Sequence, residues 1–174
     1  FYLEGNERIM IVTGPNQSGK TTFARTFGQL HFLAALGLPV PGTSSRVFLF
    51  DKLFTHFESE EKIENLRGML EDDLYRIKAI LSESSTKSII ILNEIFTSTT
   101  FKDALHLSKI ILDMLSDINM ICVWVTFIDE LSRYNEKTVS YSGEIKIDEN
   151  LLRSFKIFRK QADGIAYAYL LAEH

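Results

Sequence analysis

Gly14-Pro15-Asn16-Gln17-Ser18-Gly19-Lys20-Thr21 fits the phosphate-binding pattern G-x-x-x-x-G-K-[ST]. Ahead of it, Ile9-Met10-Ile11-Val12 is a continuous apolar run that reads as a buried strand. Behind it, from Thr22 to about Leu36, the chain reads as a helix. A chance match in a loop would lack this strand-loop-helix setting. Gly14 and Gly19 permit the tight turn that points successive N–H groups at phosphate oxygens. The helix adds the positive end of its dipole. In this reading Gly14, Pro15, Asn16, Gln17, Ser18, Gly19, Lys20, Thr21 and Thr22 form the nucleotide cradle. Lys20 reaches the β- and γ-phosphates of ATP, and the Thr21 hydroxyl sits on Mg²⁺.

The 174 residues suffice for one domain with a proper core, and the whole span 1–174 is expected to be that domain. The net charge of −4 argues against this piece gripping a nucleic-acid backbone by itself. The single cysteine, Cys122, lies in the apolar run Met120–Val125 and is expected to be a small core residue in a reducing compartment, the cytoplasm. No apolar run approaches the ~18 residues of a membrane span, so no membrane partner is expected. The four histidines show no metal spacing, and no zinc site is proposed. The chain opens at Phe1 and stops at His174 in what reads as mid-helix; it is expected to be a fragment of something longer.

In chain order, Glu4-Gly5-Asn6-Glu7 reads as a turn between Phe1–Leu3 and Ile9–Thr13. Pro41-Gly42-Thr43-Ser44-Ser45 is loop, and Val47–Phe50 is expected to be a short strand. Asp51–Glu61 reads as a surface segment leading to a lobe. Ile63, Leu66, Leu70, Leu74, Ile77 and Leu81 give Lys62–Ser82 a helical period. Ser88–Leu92 has the β-branched run of a strand buried on both faces. A helix over Phe101–Leu115, a strand over Ile121–Thr126 and a short helix over Asp129–Tyr134 follow. Thr138–Ile147 and Leu152–Arg159 alternate like antiparallel strands with one wet face, and a last helix is expected over Gly164–Glu173. The fold class is α/β: a mainly parallel central sheet flanked by helices, with antiparallel edge strands and nucleotide at the strands' C-terminal ends.

A second constellation is Ser88-Ile89-Ile90-Ile91-Leu92-Asn93-Glu94, apolar residues followed by two polar ones. In phosphoryl-transfer sites an Asp at such a strand end holds Mg²⁺. Asn93 can accept a hydrogen bond from metal-bound water but brings no charge. Glu94 is the candidate catalytic base that orients the attacking water. Alone, the pair would read as a polar strand end; the upstream phosphate loop favours the functional reading.

These parts follow the layout of ABC-type P-loop ATPases. Within them the chain resembles the ATPase domain of MutS-family mismatch-repair proteins. Thr13-Gly14-Pro15-Asn16-Gln17-Ser18-Gly19-Lys20-Thr21-Thr22 is similar to the family's T-G-P-N-x-x-G-K-S-T, and Leu92-Asn93-Glu94-Ile95 to its L-D-E-I. Thr99-Thr100 with Asp103 follow its Thr/Ser-rich turn, Val125-Thr126-Phe127-Ile128-Asp129-Glu130-Leu131 its A-T-H-x-x-E-L, and Asp163–Ala168 its G-x-x-x-S-Y-G. Departures mark a divergent branch. Asn93 replaces the metal-site Asp, Phe127 the switch His, and Gly68 the Ser that reaches a partner's nucleotide; Asp73 stands where the family has Glu. The resemblance implies a homodimer, or a pair with a paralogue, formed face to face through this domain, each chain completing the other's ATP site. It also implies DNA held by domains absent from this chain.

Phe127 and Trp124 are expected in the core. Phe1 or Tyr2 either lies near the adenine or packs. Asn65 and Gly68 either present donors to a partner's γ-phosphate or sit on a tolerant surface. Two functions fit: a slow Mg²⁺-dependent ATPase, or an ATP-gated dimerisation module with little hydrolysis. A third, another ABC-type chromosome-maintenance head, is opposed by the missing L-S-G-G-Q motif.

Overall fold

The structure, a computed structural model, describes residues 1–57, 68–145 and 153–162. In chain order the elements are β1 (Ile9–Thr13), α1 (Lys20–Ala35), β2 (Leu53–Phe57), α2 (Met69–Glu83), β3 (Ile89–Asn93), α3 (Phe101–Ile118), β4 (Ile121–Val125), a 3₁₀ turn (Asp129–Arg133), β5 (Thr138–Ile145) and β6 (Arg153–Arg159). The strands form one mixed sheet in the order β2-β3-β4-β1-β5-β6. All neighbours are parallel except β5 and β6, so this is an α/β fold with one antiparallel edge.

Period-two alternation decides which helix covers which face. Ile9 and Ile11, Ile90 and Leu92, and Cys122 and Trp124 point to one side, where Ile77 of α2 and Ala104, Ile111, Leu112 and Leu115 of α3 pack on them. Met10 and Val12, Ile89 and Ile91, and Val123 and Val125 point to the other, against Ala24 and Phe27 of α1. β1 and β3 are buried at every residue, which explains their unbroken apolar runs. Gly28 of α1 rides directly on the sheet: a Cβ there would stand 2.6 Å from Ile91 Cδ1. Trp124 and Cys122 are core residues as expected, and burial pushes the Cys122 thiol well above its ordinary range.

The boundaries of α3 follow local chemistry. Thr100 Oγ1 accepts from the Asp103 amide at 3.2 Å and caps the N-terminus; Asn119, with φ 61°, closes the other end. The turn at Glu4–Glu7 is present, closed by the Glu7 amide on the Glu4 carbonyl at 3.0 Å.

Several expectations are corrected. Val47–Phe50 is not a strand; Phe48 and Phe50 pack on the core from irregular backbone. The strand is β2, inside the segment read as a surface lead-in, because Leu53–Phe57 pairs in register with Ile89–Asn93. β5 lies between β1 and β6; Thr138 and Ser140 are half-buried and alternate with buried Val139 and Tyr141, whereas Ser142 and Gly143 are both buried. The two antiparallel strands expected, β5 and β6, do pair antiparallel with each other; β6 alone lies at the edge, since β5 also runs parallel to β1. The lobe helix is described from Met69, its start at Lys62 lying outside the described residues, as does the helix expected over Gly164–Glu173. Among the described residues, no helix is long and apolar enough to cross a membrane.

Candidate functional site

The loop between β1 and α1 adopts the turn its glycines allow. Gly14 has φ 117° and Gly19 φ 94°, both in the left-handed region, and Gln17 joins them at φ 60°. The Phe23 amide bonds the Gly19 carbonyl at 2.8 Å, so α1 starts directly from the loop. The first turn of α1 carries no acidic residue, which leaves the positive end of its dipole unopposed. Asn16 and Gln17 are exposed at the rim, whereas Ser18 is buried.

Lys20 turns back over this loop. Its Nζ donates to the Gly14 carbonyl at 3.0 Å and the Pro15 carbonyl at 2.9 Å, and stands 4.0 Å from Glu94 Oε1. Burial lowers the Lys20 pKa by desolvation, and the neighbouring Glu94 charge opposes that shift. The chain places Glu94 immediately after β3, with its amide on the Val125 carbonyl at 2.9 Å and φ at 52°. A cavity of about 370 Å³ is lined by Asn16, Gln17, Gly19, Lys20, Thr21, Thr22 and Glu94. The structure thus gathers most of the sequence-predicted cradle and the candidate base around one space. Asn93 does not line it; it is buried at the end of β3, and its Oδ1 accepts no hydrogen bond among the described residues.

Beside it, across Gly19 and Thr22, lies an apolar cavity of about 370 Å³ walled by Phe1, Phe23, Phe155 and Ile157. Phe1 packs edge-on to Phe23 with centroids 5.8 Å apart. Tyr2 is elsewhere, under the Arg159 guanidinium at 4.6 Å. Phe127 departs from its expected core position: it is half exposed and faces Phe101 at 6.3 Å. The strand end turns outward there, with the Thr126 amide on the Val12 carbonyl at 3.0 Å. Gly68 caps the start of α2 and is exposed; Asn65 lies outside the described residues.

Gly143 was not singled out from sequence. A Cβ on it would stand 2.5 Å from Ser18 Oγ and 2.8 Å from Ser18 Cβ, and a Cβ on Gly14 would meet the Gly143 amide at 2.9 Å. β5 therefore backs the loop at contact distance. The available signal was a glycine inside a strand pattern, which marks a close backbone approach. Gly143→Ala is expected to displace Ser18 and destabilise the fold by roughly 1–3 kcal/mol, the scale of an overpacking penalty. A thermal melt checks this, and an unchanged midpoint would show that the loop yields freely.

The chain matches the family described as MutS domain V over residues 10–171. It is 30% identical over 141 residues to the DNA mismatch repair protein MutS of Zymomonas mobilis, covering 80% of this chain and 16% of that protein. The MutS of Fervidobacterium nodosum is 27% identical over 174 residues, 99% of this chain and 20% of that protein. That of Thermotoga maritima is 24% identical over 166 residues, 95% of this chain and 21% of that protein. The chain thus spans about a fifth or less of the length of these relatives. A match running through nearly the whole sequence, loop and strand ends included, decides the matter: the chain belongs to the MutS family, as a segment corresponding to its domain V.

Proposed function

We propose that this domain binds ATP and hydrolyses it slowly with Mg²⁺, as the nucleotide-driven part of a MutS-type DNA-repair protein of the cytoplasm. The fold assignment that goes with this reading is a P-loop NTPase of ABC/MutS type. The observation that carries it is the convergence of Lys20 and Glu94, from two separate strand ends, on one cavity beside a left-handed glycine loop. The loop amides of Gly14–Gly19 and the start of α1 bind phosphate oxygens. Lys20 exchanges its two carbonyl partners for the β- and γ-phosphates. The apolar space beside Phe1 and Phe23 accommodates the adenine. Glu94 accepts a proton from the attacking water and orients it.

The donor set fits a Mg²⁺ ion held loosely. Thr21 would supply a hydroxyl from the cavity wall, and the unpartnered acceptor Asn93 Oδ1, buried behind that wall, would take a hydrogen bond from the ion's water once the end of β3 opened to admit it. When bound, the ion neutralises charge on the phosphates. Asn93 adds no charge of its own, so affinity is lower than a carboxylate would give. Two such domains, from a second copy or a paralogue, pair face to face, and DNA is held by parts of the protein outside this chain.

ATP turnover per chain, measured against protein concentration with Lys20→Ala as control, tests the reading. Turnover that rises with concentration and vanishes in the control supports a site completed by two chains. No turnover in a sample that still binds ATP favours the second reading, an ATP-gated dimerisation module. The uncharged Asn93 and the outward Phe127 support that alternative. It requires ATP, and not ADP, to drive dimerisation.

A further inference from the structure

Glu94 sits in a backbone segment that does not hold itself. Glu94 at φ 52° and Phe96 at φ 63° are both left-handed and neither is glycine. Such conformations persist only where the surroundings over-determine them. Val125 holds the amide of Glu94. The amide of Phe96 is held from another part of the chain: it donates to Asp73 Oδ2 at 3.0 Å. The other oxygen of Asp73 accepts from His56 Nε2 at 2.8 Å. That tautomer follows from the carboxylate partner. His56 is almost fully buried on β2, in register with Leu92. Asp73 belongs to α2. One carboxylate thus ties together an edge strand, a helix and the turn that carries the candidate base, and it spends both oxygens doing so.

We propose that Asp73 is a positioning residue for Glu94, acting through the backbone of residues 94–96, with His56 fixing the carboxylate's orientation. This rests on the ATPase reading given above. Asp73 touches neither cavity and needs no contact with nucleotide. Its contribution is to keep Glu94 aimed at the space beside Lys20. A displacement of α2 from the sheet would pull on Phe96 first and on Glu94 next.

The substitutions separate this from simple packing. Asp73→Ala removes the acceptor. Asp73→Asn keeps one: its amide oxygen can take the Phe96 amide, and its NH₂ can donate to His56 Nε2 once the ring hydrogen moves to Nδ1, an atom with no partner among the described residues. In the full-length protein, Asp73→Ala is expected to lower kcat by roughly ten- to a hundredfold, the scale of a 1 Å misplacement. ATP affinity should stay within about twofold, since the phosphate loop is untouched. Asp73→Asn should restore kcat to within about threefold of the parent, an order-of-magnitude expectation from the retained hydrogen bond. Amide exchange in a peptide containing Phe96 should quicken about tenfold or more in Asp73→Ala, as expected for loss of a hydrogen bond to a charged group.

A fall in melting temperature with kcat per folded molecule unchanged overturns the proposal. Should Asp73→Ala not fold, Asp73→Leu fills the same space without an acceptor and is read the same way. If the parent protein itself turns over no ATP, the ATPase reading fails, and the exchange measurement still decides the lock: unchanged exchange at Phe96 removes it.

Discussion

Lys20→Ala is expected to weaken ATP binding on the order of a hundredfold or more while costing the fold no more than about 1–2 kcal/mol. Lys20 is the one cation among the described residues lining the cavity beside the glycine loop. Its side chain is only 6% exposed, so its charge acts where water screens poorly. Truncation also strips Glu94 of the ammonium 4.0 Å away, and its carboxylate would then face incoming phosphates without that cation. Losing one member of a desolvated charge pair typically costs 2–5 kcal/mol in binding, roughly thirty- to several-thousandfold. Stability should respond differently. Desolvation already penalises the Lys20 ammonium in the folded chain, and its lowered pKa has that cause. Removing that charge returns its desolvation cost, which offsets part of what is lost when the Gly14 and Pro15 carbonyls give up their donor. Calorimetric titration with ATP and a thermal melt on the same sample check both halves. Affinity within about threefold of the parent would remove Lys20 from the phosphate site, since a single charge-assisted hydrogen bond is worth more than that.

Glu94→Gln is expected to cut turnover by about 10²–10⁴-fold, the range assigned to a positioned general base, with ATP still bound. The substitution is clean for a structural reason. Both residues have a Cβ, so the left-handed backbone at φ 52° carries the same strain in each, and the amide keeps its bond to Val125. The carboxylate's charge and its capacity to accept a proton are lost, and the side chain keeps its length and shape. Glu94 also repels phosphate, so ATP affinity should hold or rise. Single-turnover and binding measurements on one preparation separate the two effects. Unchanged single-turnover rate would take Glu94 out of the chemistry and leave the ATP-gated switch as the reading of this site.

Much of this was legible in the residues because it depends on local rules. The strand-loop-helix around Gly14–Thr21 follows from an apolar run, two glycines and a helical period that lie within one short window. The strand ending in Asn93-Glu94 was legible for the same reason, as was the burial of Cys122 and Trp124 in their apolar run. Patterns failed where a neighbour decides the outcome. Val47–Phe50 and Leu53–Phe57 are both short and apolar-rich, and only pairing with β3 makes the second a strand. Phe127 looks like a core residue in isolation, yet the chain turns outward after β4 and leaves it half exposed.

The sequence by itself determined the local chemistry of this protein: a glycine loop carrying Lys20, a strand end carrying Glu94, and alternating apolar faces for a parallel sheet. Those features are set by backbone freedom, side-chain charge and hydrophobic period over a few residues. The tertiary structure alone decided which of them meet. Parallel pairing of β1, β3 and β4 brings Lys20 to within 4.0 Å of Glu94. Packing of β5 sets Gly143 against Ser18. The meeting of His56, Asp73 and the Phe96 amide joins three elements well separated along the chain. Contacts of that kind depend on sheet order and register, and no short-range pattern encodes either.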